Sequence, residues 1–149
     1  MAASTATSVE MAFRDLILAN NKINHAINGR IYFGHVPQSP LPTDRCIIVT
    51  DLQRTANYHL GGEAALAKTL VQLDVWATDP GGSAWVGNSE ESAGEQLRRT
   101  LSGYSGTIGS ITITCCLIER DHTQSLAPEN GSDKWRRRRS MDFLVMHTY

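Results

Sequence analysis

Leu70-Val71-Gln72-Leu73-Asp74-Val75-Trp76-Ala77 is the stretch on which the reading of this chain turns. Val71, Leu73 and Val75 alternate with Gln72, Asp74 and Trp76. Successive side chains of a strand point to opposite faces. The octet therefore predicts a strand with one face on a core and the other carrying polar groups. Asp79-Pro80-Gly81-Gly82 ends it.

The same alternation recurs downstream. Ile111, Ile113, Cys115 and Leu117 alternate with Thr112, Thr114, Cys116 and Ile118, a second strand. A last strand runs from about Trp135 to His147 with Met141, Phe143 and Val145 on its core face, after a turn rich in Pro, Asn and Gly over 125–134. Upstream, Cys46 to Thr50 is a β-branched run, which predicts a strand covered on both faces. Gln53 to Lys68 is polar, with Gly61-Gly62 in its middle, and reads as a long loop between two strands. Ile31-Tyr32-Phe33 is a short extended piece after the Asn28-Gly29 turn, and Pro37, Pro40 and Pro42 make a stiff loop.

Val9, Ala12, Phe13, Leu16, Ile17 and Asn20 recur at helical spacing behind Ser8, a plausible N-cap, so a helix is predicted over 9–20. Ser83 can cap a second helix reaching Ser102, with Trp85, Ala93, Leu97 and Leu101 as its apolar stripe and Glu91, Glu95, Arg98 and Arg99 on its polar side. Gly87 and Gly94 each weaken that helix by about 1 kcal/mol relative to Ala. Helix, strands, helix, strands predicts an α+β domain: an antiparallel or mixed sheet with two main helices packed on one face. Residues 1–8 read as a flexible N-terminus and 9–149 as one domain.

The composition limits the function classes. A chain of 149 residues with 41% hydrophobic residues can bury a core without staples. A net charge of -1 argues against a protein whose main work is gripping nucleic acid. Cys46, Cys115 and Cys116 lack a disulfide spacing and read as small buried hydrophobes. The small, polar N-terminus is no secretory signal, and no apolar run is long enough for a membrane span. A soluble protein made in the cytoplasm is expected. His25, His35, His59, His122 and His147 share no ligand spacing, and no phosphate loop or nucleophile elbow is present. The chain is read as having no catalytic residues, no metal and no cofactor.

Two features point to partners. Arg136-Arg137-Arg138-Arg139 is a basic run next to Trp135. On a strand, Arg137 and Arg139 share parity with Met141 and Phe143, and Arg136 and Arg138 share parity with Asp142. The run is either a basic band that meets DNA or an acidic partner surface, or a solvated strand end that discourages edge-to-edge pairing. The second feature is the 53–68 segment with Arg54, Asn57, Tyr58, His59 and Lys68, an arm toward a neighbouring subunit or a surface loop.

The ordering of segments resembles the tail-completion family of siphophages, which includes tail-to-head joining proteins and tail terminators. The segments that carry the likeness are Leu16-Ile17-Leu18-Ala19, Gly29-Arg30-Ile31-Tyr32, Val36-Pro37-Gln38, Leu41-Pro42 and Val71-Gln72-Leu73-Asp74-Val75-Trp76-Ala77. They continue with Leu101-Ser102-Gly103, Ile118-Glu119-Arg120-Asp121 and Arg139-Ser140-Met141-Asp142-Phe143-Leu144-Val145. They run collinearly over nearly the whole chain after Ser8. The resemblance implies an α+β subunit of a hexameric ring at the head-proximal end of a virion tail. The ring would cap the tail tube protein, stop its polymerisation and dock to the head-completion or connector protein, while the genome DNA passes its lumen without specific binding. No catalytic residue is implied. The candidate interface residues are Arg54, Tyr58, His59, Trp135, Arg136, Arg137 and Arg138. Two other readings stay open: another head-tail joining protein, and a small ligand-binding or enzymatic domain.

Overall fold

The computed structural model describes residues 4–35, 45–77, 85–87, 92–127 and 136–148. In chain order these form helix α1 (Val9–Ala19), helix α2 (Asn21–Ile27), strand β1 (Ile31–Phe33), strand β2 (Cys46–His59), strand β3 (Gly62–Ala77), helix α3 (Ala93–Leu101), strand β4 (Gly106–Ile108), strand β5 (Ile111–Leu126) and strand β6 (Arg136–Thr148). The strands make one six-stranded sheet in the order β1-β2-β3-β6-β5-β4. All neighbours are antiparallel except β1 and β2, so the sheet is mixed and the α+β class holds.

The alternation of 70–77 does what its pattern predicts. Val71, Leu73 and Val75 are fully buried, and they sit in register beside Phe143, Met141 and Arg139 of β6. Val71, Leu73 and Val75 join Phe143, Met141, Val145, Ile47 and Val49, and Ile111, Ile113 and Cys116 of β5, in the core. The helices cover it with Phe13 and Ile17 from α1, Ile23 and Ile27 from α2, and Leu97 and Leu101 from α3, among others. Phe13 meets Phe143 edge to face at 5.9 Å. We call this side the core face and the opposite side the outer face.

Three helices are present among the described residues, where two main ones were expected. Helix α1 starts as predicted, with the Ser8 hydroxyl accepting from the Met11 N–H. It stops at Ala19 because Asn20 leaves helical geometry and its side chain caps α2, accepting from Lys22 and Ile23. Asn28 then closes α2 in the left-handed conformation at φ 48°, which Asn tolerates better than most residues. Helix α3 is capped by Ser92, which accepts from the Glu95 N–H. Ser83 lies outside the described residues, as does 88–91, while Trp85 and Val86 are buried against the core. The chain packs before α1 as well: Ala6 is fully buried and its carbonyl accepts from Ser110 N–H.

The largest departure is at 53–68, read from sequence as a loop. These residues are strand: β2 runs on to His59, turns at Leu60-Gly61, and returns in β3. Register shifts between Asp51 and Gln53 and between Ala56 and Tyr58 interrupt the ladder without ending it. Residues 62–66 lie beyond the last β3–β6 pair, Ala67 with His147, so this two-stranded ribbon runs past the sheet by roughly 17 Å at the strand rise. The 125–134 turn lies mostly outside the described residues; Ser125 and Leu126 still belong to β5.

Candidate interaction surfaces

The basic run begins β6, and the strand separates its members as parity requires. Arg139 is on the core face, beside Val75 in register, and is only 2% exposed. A guanidinium can sit there because its donors are met. Its Nε donates to Asp121 Oδ1 at 2.7 Å and its Nη2 to Asp121 Oδ2 at 2.6 Å, a bidentate fork. Nη1 donates to the Gly87 carbonyl at 2.9 Å, and Nη2 also reaches Glu95 Oε2 at 3.4 Å. The carboxylates raise the Arg139 pKa further, Asp121 foremost. Glu95, expected on the polar side of its helix, is buried instead. Its carboxyl is held below the ordinary value, mainly by the Arg98 guanidinium donating at 2.8 Å and also by Arg139.

This knot explains why position 94, in the first turn of α3, is glycine. A Cβ there would stand 2.5 Å from the Val86 carbonyl oxygen and 2.9 Å from Arg139 Nη1. The glycine lets α3 press against the 85–87 segment, whose Gly87 carbonyl accepts from both Arg139 and the Ser92 hydroxyl, the latter at 2.6 Å.

Arg136 and Arg138 are on the outer face. Both guanidinium groups lie against one indole, Trp76, at 5.3 and 5.4 Å from the ring centroid. Arg138 also donates to Gln124 Oε1 at 2.7 Å and approaches Asp74 Oδ1 at 4.0 Å. Burial pushes the Asp74 carboxyl up from its ordinary value, opposed by the hydrogen bond from the Ser140 hydroxyl. Arg137 has core-face parity opposite Ala77 and is half-buried. Trp135 lies outside the described residues. The run is thus not one band. Its last member is a core ion-pair group, and Arg136 and Arg138 make an aromatic-backed cationic patch at one end of the outer face.

The other candidates are at the opposite end. Arg54 stands in register with Thr69 at the base of the ribbon and is exposed. Tyr58 is 75% exposed, and His59 pairs in register with Gly62. The ribbon therefore brings Arg54, Tyr58 and His59 together, far along the strand axis from the Trp76 patch. Three groups went unread in the sequence. Asp121 and Glu95 hold Arg139; the parity of Arg139 with Met141 and Phe143 was the available signal. His147 is the third, fully buried, with Nε2 at 2.7 Å from the Thr69 hydroxyl. Burial lowers its pKa, and Arg54 adds to this.

Among the described residues, no group of three His, Cys, Asp or Glu side chains is placed to hold a metal ion. No helix among them is long and apolar enough to cross a membrane. Cys46 and Cys116 are buried free thiols whose pKa values burial pushes up to about 11 and about 12, which keeps them unreactive at neutral pH. What the arrangement offers is surface: an apolar-tipped ribbon at one end of the sheet and a cationic aromatic patch at the other.

No protein-family model matches the sequence, and no curated protein matches it. Solved structures do. They include a chain of the virion of a native gene transfer agent particle, similar with a TM-score of 0.69 at 12% identity, over 99% of this chain and 100% of that one. At that identity the likeness is one of fold, and the two chains share it from end to end.

Proposed function

We propose that this protein is a structural subunit of a tailed-phage type virion, a tail terminator that works as a hexameric ring. The observation that carries the reading is the end-to-end likeness of fold to a chain of a gene transfer agent virion. The collinear tail-completion segments support the same class. In this reading the ring sits on the head-proximal end of the tail tube, blocks further addition of tube protein, and presents its other side to the head connector. A heterologous contact that closes on itself gives a ring, and one that does not close gives a filament. The net charge of -1 suits a lumen through which DNA must slide without being held.

The test is mass in solution. Light scattering should give about six times the 16.4 kDa chain mass, and negative-stain images should show rings of one size. After mixing with tail tube protein, rings should cap tube ends and stop their growth. A protein that stays monomeric alone and with tube protein is not a terminator. One that binds connector and ignores the tube is another joining protein of the neck.

A further inference from the structure

The sheet has helices on one side only, as far as the described residues go. On its outer face Leu117, Leu144 and Leu70 stand directly opposite one another across β5, β6 and β3. They make an apolar row in register, flanked on one side by Gln72, Asp142 and Arg120 and on the other by Lys68, Met146 and Cys115. Leu117 is 47% exposed, and Leu144 and Leu70 are half-buried. The ribbon carries the counterpart. Among the described residues the exposed large apolar side chains are Phe33, Leu52, Tyr58, Leu60 and Leu117, and three of these five are on β2 or its turn. Leu60, at the tip, is wholly in water.

A two-stranded ribbon is marginally stable alone, and large apolar side chains at its tip gain nothing from solvent. The tip cannot reach the row of its own chain. The row lies level with Gln53, seven residues from Leu60 along β2, about 23 Å at the strand rise. The ribbon continues both strands outward, so meeting its own row would require the hairpin to fold back on itself. The two surfaces are thus complementary in character, borne by every copy, and unable to meet within one. We infer that the β2–β3 ribbon of one copy seats Tyr58 and Leu60 on the Leu117–Leu144–Leu70 row of the next, a head-to-tail contact between identical chains. The occupant of the outer face is then a second copy of this protein. The inference rests on the ring reading and names the contact that builds the ring: each subunit gives one arm and receives one, as a heterologous closed assembly requires. The aromatic and the leucine at the tip are the anchors, and the polar flanks of the row form the rim.

Two single variants and their mixture test this. Leu60→Asp removes the arm's anchor at a position that touches nothing in the chain's core, and Leu117→Asp spoils the receiving face. Unchanged melting temperatures will show that each folds. Sedimentation should find wild type as rings and each variant as monomer, with the contact weakened about thirtyfold or more. In a 1:1 mixture, the intact arm of the Leu117→Asp chain meets the intact face of the Leu60→Asp chain. One good contact forms per pair and cannot propagate, so the mixture should give dimers and no rings. If either variant still forms rings, or the mixture stays monomeric at high concentration, the contact lies elsewhere, even though the ring reading stands. If wild type itself forms no ring, with or without tube protein, the ring reading and this inference fall together.

Discussion

Arg139 is a charged side chain at a position built for an aliphatic one, between Val75 of β3 and Thr123 of β5 in register. Its stability contribution depends on keeping every donor paired, since breaking a buried pair leaves uncompensated charge behind. Arg139→Ala should therefore lose about 3 kcal/mol of unfolding free energy, at the low end for a buried pair because the Asp121 side chain is 28% exposed and partly solvated. Arg139→Lys should restore only a part, because an ammonium cannot make the fork to Asp121. Urea unfolding of both variants measures this, and a loss within experimental error would refute the role. His147 gives a pH dependence of definite sign. Its folded pKa lies below the ordinary 6.5, so the unfolded chain takes up the proton first as pH falls. Stability contributed by the neutral buried ring is whole above about pH 7 and declines as pH drops through 6.5. Asp74 works in the opposite direction, but around the carboxylate range at lower pH. Unfolding free energies at pH 7.5 and 5.5 should differ for wild type and differ less for His147→Gln. The histidine's burial had no signal in the sequence beyond its parity with Phe143 and Val145, and neither did the partners of Arg139, which come from a different strand and helix.

At the scale of elements, legibility followed sidedness. Strands over 70–77, 111–118 and 136–147 were readable because one face is apolar and the other is not. Helix α1 was readable because its cap and its stripe agree. The ribbon was not: both its faces are in water, so no alternation is imposed on Gln53 to Ala56, and Gly61-Gly62 looks like a loop signal when it is a hairpin turn. Helix α2 hid behind Asn20, Asn21 and Asn24, residues poor at propagating helices and good at capping them. Strand β4 is three residues long and begins with glycine, too short for any period to show. Helix α3 begins at Ala93 behind a Ser92 cap, later than the single helix reaching Ser102 that the stripe of Trp85, Ala93, Leu97 and Leu101 predicts, while Ser83 lies outside the described residues. Of the arginine run, its alternation across two faces was legible, and the unequal fates of its members were not. The cationic patch belongs to this scale too. Arg136→Ala with Arg138→Ala removes two guanidinium groups from Trp76 on the partly open outer face, where each is worth about 1 kcal/mol or less. The double variant should therefore fold, while ring assembly or attachment to tails weakens; electron-microscope counts of capped tube ends decide it, and unchanged counts would sink the patch as a docking site.

The whole molecule is two hairpins, β2–β3 and β5–β6, joined at a single seam, β3 against β6. The ribbon stands at one end of the strand axis and the Trp76 patch at the other, so the surface that would join copies and the cationic patch lie apart on each subunit. The seam pairs Val71 with Phe143 and Leu73 with Met141, positions far apart in sequence, and such pairings form late and slowly. Because β6 is the last strand of the sheet in chain order, its consequence reaches protein synthesis. While a ribosome is still making β5, the nascent chain holds β3 paired with β2 on one side only, its edge toward β6 open, and no continuous sheet exists. A product interrupted before β6 keeps the β2–β3 hairpin but lacks both the seam and Leu144, the middle of the outer-face leucine row. The seam, and with it a single sheet, exists only in a chain synthesised through β6.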